Sequence, residues 1–373
     1  MPIPFNKPYK AGNELDYLKQ VLDSDHMSGN YGFTKKCHEF LKKQSSAEEV
    51  FLTQSATAGL EMALMLADIG PGDEVILPSF TFSSCATAIV RQGGVPVFVD
   101  VDFDSRNVTA SYLEKGITDK TKLLLPVHYA GNPCEMDDIL ALAKQHNLIV
   151  LEDAAQGLGS AYKGKALGSL GHLGVYSFHE TKNITCGEGG ALLVNASEFK
   201  DRAEILWEKG TNRRQFFRGE VDKYSWVDQG SSFLPSELTA AVLWAQLQKL
   251  EEVTLHRRKI WEHYYQRFEA LEERGVLTRP KINEQGNHNG HIFSVTFNEG
   301  KVRDRVLDDF RSKEMGATFH YIPLHSSPAG KKYGRVAGDL TNVNQVSERL
   351  IRLPIWYGFE AVDQVVGTVE ESI

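Results

Sequence analysis

The chain has 373 residues, with 41 lysines and arginines against 49 aspartates and glutamates, a formal net charge of −8. Hydrophobic residues make up 42 % and charged residues 24 %, enough apolar content for a substantial globular core. The acidic balance speaks against nucleic-acid or membrane-surface partners, which need a basic face, and no apolar run approaches the ~18 residues of a membrane span.

Met1-Pro-Ile-Pro-Phe-Asn-Lys-Pro8 lacks the charged-then-apolar pattern of a secretory leader, so a cytoplasmic location is expected. Cys37, Cys85, Cys134 and Cys186 are dispersed with no C-x-x-C, which predicts reduced thiols rather than a disulfide framework or metal cluster. From about residue 50, short apolar runs alternate with helical patterns. Val50-Phe-Leu52 gives way to a helix in which Leu60, Ala63, Leu64 and Ala67 share one face. Glu74–Pro78, Val95–Asp100, Leu123–Pro126, Leu148–Asp153, Val175–Phe178 and Ala191–Val194 read as buried strands, and Asp137–His146 as a helix. This alternation predicts an α/β architecture, a mainly parallel sheet flanked by helices, with ligands at the carboxyl ends of its strands.

The pattern then changes. Ser236 to about Arg274 contains no proline and predicts one or two long helices leading into a second domain. Beyond it, His291–Phe297 reads as a strand, Val302–Lys313 as a helix, Ala317–Tyr321 as a strand and Gln345–Arg352 as a helix. The expected division is a large domain, 1–250, and a small α+β domain, 251–373. Gln285-Gly-Asn-His-Asn-Gly290 is the expected mobile loop.

The stretch from 148 to 190 carries the chemistry. A strand ends at Glu152-Asp153, followed by Ala154-Ala-Gln156-Gly157; later come Ser177-Phe-His-Glu-Thr-Lys182-Asn183 and Gly187-Glu-Gly-Gly190. A carboxylate at a strand mouth and an amine in a glycine-flanked turn are the two groups that a pyridoxal phosphate site needs. The carboxylate keeps the ring nitrogen protonated, and the amine bonds the cofactor and moves a proton. Burial lowers such an amine toward neutral pKa. Either residue alone could be a helix cap or a solvated lysine; the ordered pair favours the cofactor. Thr53-Gln-Ser55-Ala56-Thr57-Ala58-Gly59 opens a helix at a strand end, which reads equally as a phosphate cradle or as a simple N-cap. Phe82, in Pro78-Ser-Phe-Thr-Phe82, is either a ring-stacking residue or core.

Together with Pro126-Val-His-Tyr-Ala-Gly131, His320-Tyr-Ile-Pro-Leu-His325 and Arg352-Leu-Pro354, these segments resemble the DegT/DnrJ/EryC1/StrS nucleotide-sugar aminotransferases over nearly the whole chain. These are fold-type I, aspartate-aminotransferase-like enzymes. The resemblance implies that Lys182 carries pyridoxal 5'-phosphate and serves as acid/base. It implies that Asp153 pairs with the ring nitrogen, Gln156 with the ring hydroxyl, and Phe82 stacks on the ring. Ala56, Thr57 and Ser177 would hold the phosphate. A homodimer is implied, in which Ser232 stands where the family has a cross-subunit asparagine. Lys209–Gly219 and Tyr224–Asp228 narrow the resemblance to members that take an amine from glutamate to C4 of a dTDP-linked 4-keto-6-deoxy hexose.

Other readings stay beside this one. The same fold supports 3-amination, the gluco epimer, or dehydration of a sugar. A nicotinamide oxidoreductase is disfavoured because Gly157-Leu-Gly159-Ser-Ala-Tyr162 lacks the last glycine of the dinucleotide fingerprint. His128 and Tyr129 line the pocket or belong to the core. Arg213, Arg214 and Arg218 clamp a diphosphate or are solvated. His320 and His325 lack the carboxylate partners and spacing of a zinc site.

Overall fold

The computed structural model describes residues 2–373. Among these residues, β1 (Glu49–Thr53), β2 (Glu74–Pro78), β3 (Val95–Val99), β4 (Thr121–Leu124), β5 (Ile149–Asp153), β6 (Leu173–Ser177), β7 (Gly190–Val194) and β8 (Arg335–Val336) form one eight-stranded sheet. Its order is β1-β7-β6-β5-β4-β2-β3-β8, and β7 alone runs against the others. The expected mainly parallel α/β sheet is therefore present.

Both faces of the sheet are apolar. Val75 and Leu77 of β2 enter one buried cluster with Phe98, Leu151 and Val175, while Ile76 between them enters another with Val97, Leu124 and Val150. Alternation into two cores explains why these strands read as unbroken apolar runs. Each such buried side chain contributes about 1.5–3 kcal/mol.

The helix Ala56–Leu66 leaves β1 and crosses the sheet so closely that Gly190 is obligatory at the start of β7. A Cβ at Gly190 would lie 2.4 Å from the backbone nitrogen of Ala56. Gly190→Ala is therefore expected to displace the first turn of that helix and cost roughly 3 kcal/mol, read by denaturant unfolding. Unchanged stability would contradict this packing.

A second, three-stranded sheet joins Leu277–Thr278, Phe293–Phe297 and Leu350–Leu353, all antiparallel. Helices Leu250–Arg267, Gly300–Ser312 and Val362–Ser372 accompany it. Tyr264, Phe268, Phe293, Phe297 and Val365 are completely buried in the cluster between these elements.

The long helices expected at 236–274 are Glu237–Leu247 and Leu250–Arg267, followed by the short Glu269–Glu273. Three expectations are corrected. Residues 317–321 make a single bridge, Thr318 to Arg352, instead of a strand. The helix expected at 345–352 spans Thr341–Arg349, after which Leu350–Leu353 is extended; Pro354 disfavours helix at the residue before it. The expected mobile loop is pinned: Gly286–Asn287 pairs with Ala161–Tyr162, and the Asn289 amide donates to the carbonyls of Gln156 and Leu158 at 2.8 Å each.

The C-terminal part also returns to the large sheet. Through β8, Arg335 sets its Nε and one terminal nitrogen against the two oxygens of Glu74, each at 2.7 Å, a forked ion pair at the sheet edge.

Candidate active site

The carboxyl ends of β1, β2, β5 and β6 open on one cavity of about 730 Å³. Ala56, Thr57, Phe82, Asp153, Gln156, Ser177 and Lys182 all line it. Seven of the residues singled out in the sequence thus meet in one place. Ser232 does not: it is exposed and bridges Glu208 away from this cavity.

At one wall, the Ser55 hydroxyl accepts the Ala58 N–H at 3.1 Å, so Ser55 is the helix N-cap. Ala56 and Thr57 then stand in the first turn, where N–H groups have no intrahelical acceptor and the helix dipole favours an anion. The Thr57 hydroxyl meets that of Ser84 at 2.7 Å, and Ser177 lines the cavity beside them. The cap and the cradle thus coexist: one residue does the first, its neighbours offer the second.

Asp153 closes β5. One carboxylate oxygen accepts the Ala155 N–H and the other accepts the Cys85 thiol, each at 2.9 Å. Gln156 is held by Ala130, whose N–H donates to the Gln156 side-chain oxygen at 2.6 Å. Ala130 reaches that position with a left-handed φ of 60°. The Gln156 amide then faces the Tyr321 hydroxyl at 3.1 Å and keeps one N–H for a ligand.

Lys182 sits in the turn after β6. Burial brings its amine down to about 8, with Asp153 pulling it up and Arg352 pushing it further down. A free amine is therefore available near neutral pH. In the unfolded chain this amine keeps its proton to about 10.5. Between those two values the unfolded chain holds the proton and the native chain does not, so this group adds stability as pH rises through the window. Lys182→Met apoprotein is expected to exceed the parent by roughly 3 kcal/mol at most below pH 8, the gap closing toward pH 10.5. Chemical unfolding at stepped pH tests this; a pH-independent gap would contradict it.

The far wall comes from His320, Tyr321 and Arg352, which the sequence did not place at the site, with Tyr129 buried behind them. Arg352 donates to His320 Nε2 at 2.7 Å, which leaves the proton of that ring on Nδ1, facing the Tyr129 hydroxyl at 3.2 Å. Burial, then Arg352 and Lys182, hold His320 far below its ordinary pKa. Arg352 is half-buried, stands over the Phe5 ring at 4.9 Å, and its Nε has no partner. The sequence signal was a charged residue inside the apolar Leu350-Ile-Arg-Leu353.

Other candidates resolve otherwise. His128 is fully buried between Glu152 Oε2 at 2.9 Å and the Cys134 N–H at 3.1 Å, a core role. His325 bonds Ser79 at 2.8 Å. Arg214 and Arg218 pair with Glu204 at 3.0 and 2.7 Å, and Arg213 lies over Phe217, so two of these three guanidiniums already have carboxylates.

An anion cradle, a carboxylate, an amide donor, an exposed aromatic face at Phe82 and a neutralisable amine around one cavity define a group-transfer site on an α/β fold. The donor set fits pyridoxal phosphate part by part: phosphate, ring nitrogen, ring hydroxyl, ring face and aldehyde. The chain belongs to the DegT/DnrJ/EryC1/StrS aminotransferase family, whose profile matches residues 8–370. It is 31 % identical over 384 aligned positions to the spore coat polysaccharide biosynthesis protein SpsC of Bacillus subtilis, covering 100 % of this chain and 97 % of that one. The aminotransferase TlmJ from Streptoalloteichus hindustanus superposes with a TM-score of 0.90 at 28 % identity, covering 100 % of this chain and 99 % of that one. DesV of S. venezuelae, solved in complex with a ketimine intermediate, gives 0.89 at 27 % identity, covering 99 % and 98 %.

Proposed function

We propose that this chain is a pyridoxal-phosphate-dependent aminotransferase that moves an amino group from glutamate to C4 of dTDP-4-keto-6-deoxy-D-glucose, giving dTDP-4-amino-4,6-dideoxygalactose. The observation that carries the reading is the Lys182 amine, neutral above about pH 8, sharing one cavity with the Asp153 carboxylate and the first turn of the helix Ala56–Leu66. When bound, the cofactor supplies an electron sink that stabilises negative charge on the carbon losing its proton.

The chain's own residues do the rest. Ala56, Thr57 and Ser177 hold the phosphate, and Gln156 donates to the ring hydroxyl. Phe82 would cover one ring face, and Asp153 would keep a proton on the ring nitrogen. Lys182 would be the residue that holds the cofactor's aldehyde carbon, and its amine, neutral above about pH 8, would be the base placed to hold or move a proton there. Arg352, whose guanidinium lines the cavity, supports a substrate that brings a negative group into it, as glutamate does.

A role in polysaccharide synthesis draws support from the name of SpsC, and amine–ketone condensation from the ketimine bound to DesV. A homodimer is part of the proposal. Phe217, Tyr224 and Trp226 expose large apolar surfaces on the segment leading to Ser232, a face that a second copy would cover. The division at 250 is likewise proposed, the separate buried cluster around Phe293 supporting a small C-terminal domain.

Incubation with glutamate, pyridoxal phosphate and dTDP-4-keto-6-deoxy-D-glucose, followed by NMR of the product, tests the reading. An axial amine at C4 is expected. An amine at C3, an equatorial amine, or a deoxygenated product without nitrogen would each replace it.

A further inference from the structure

We propose that Cys85 is a positioning residue for Asp153: its thiol fixes the edge that the carboxylate presents to the cofactor's ring nitrogen. The inference rests on the pyridoxal phosphate reading above.

Cys85 is in the first turn of the helix Ser84–Arg91 and has no solvent exposure. Its sulfur lies 2.9 Å from Asp153 Oδ2 and 3.5 Å from the Thr81 hydroxyl, while Oδ1 takes the Ala155 N–H. The torsion that turns a carboxylate about its own axis is soft and roughly two-fold. Donors on opposite oxygens, one from the loop after β5 and one from a helix after β2, remove that freedom. Each oxygen keeps a lone pair for the ring N–H.

The sulfur is held as a thiol. Burial and the adjoining Asp153 charge push it well above its ordinary pKa, so it remains a donor and is unfit as a nucleophile or redox centre. A thiol is also a weak donor. It therefore orients the carboxylate while withdrawing little of the negative charge that holds the ring proton. Lys182 and Tyr321 are the other titratable groups that feel the Asp153 charge, and neither bonds its oxygens.

The test compares Cys85→Val, which fills the volume with no donor, Cys85→Ala, and Cys85→Ser, which restores a donor. The visible absorbance of the bound cofactor is titrated with pH in each, beside kcat and KM for glutamate. In the valine and alanine proteins the titration midpoint is expected to rise by roughly half a pH unit, because the freed carboxylate is more basic. Turnover should fall about three- to ten-fold with KM little changed, and serine should return both readouts toward the parent. Midpoints that stay at the parental value while only unfolding temperature drops would overturn the inference and leave Cys85 as packing. Serine behaving like valine would overturn it equally. A parent protein that gains no visible band with pyridoxal phosphate would overturn the reading of the site itself, and this inference with it.

Discussion

Lys182→Ala is expected to lower amine transfer by about 10⁴-fold and to leave no cofactor fixed to the chain after borohydride treatment. On the proposed reading the amine has two jobs that no neighbour can take over. Its nitrogen is the group brought down to about 8 in this cavity, whereas the adjacent imidazole of His320 already accepts from Arg352 and is held far below its ordinary pKa. Arg352 stays protonated and offers no base. The variant should still bind pyridoxal phosphate reversibly, since the Ala56–Thr57 turn and Asp153 remain. Turnover within ten-fold of the parent would remove Lys182 from the chemistry.

Asp153→Asn is the second large effect, expected at about 10²–10³-fold in kcat. Asparagine keeps the size but not the electrostatics. Both oxygens of Asp153 receive a donor, Ala155 N–H on one side and Cys85 on the other, each at 2.9 Å. An amide there must turn its NH₂ toward one of them, two donors face to face. It also gives up the negative charge that, on the proposed reading, would hold a proton on the ring nitrogen. The bound cofactor should show an altered visible spectrum alongside the lost rate. An unchanged spectrum with unchanged kcat would sever Asp153 from the cofactor.

Much of this was readable from the chain. The strands of the large sheet announce themselves because both of their faces are buried; Asp153 and Ser177 end strands, and Gln156 and Lys182 follow them, where ligands of such sheets collect. What stayed hidden came from sequence-distant pieces. His320, Tyr321 and Arg352 reach the cavity from the C-terminal part, and nothing in local periodicity tells where a tertiary fold will bring them. Residues 345–352 misled for a narrower reason. The helical spacing persists to Arg349, and the four residues after it are too few for periodicity to tell helix from strand. Cys85 reads as one more small apolar residue until its neighbour is known. The loop at 285–290 looked slack because glycine and asparagine suit turns, yet Asn289 uses its amide as a clasp.

The short strand Arg335–Val336 ties the two ends of the molecule's architecture together. A chain stopped at the proposed boundary near 250 would keep every lysine, carboxylate and phosphate-facing turn of the site, yet β3 would end as a raw sheet border. Glu74 would face it with its arginine gone. Such a fragment is a template for self-association, so the catalytic half is not a freestanding module. The later residues act as its selvedge as well as its roof.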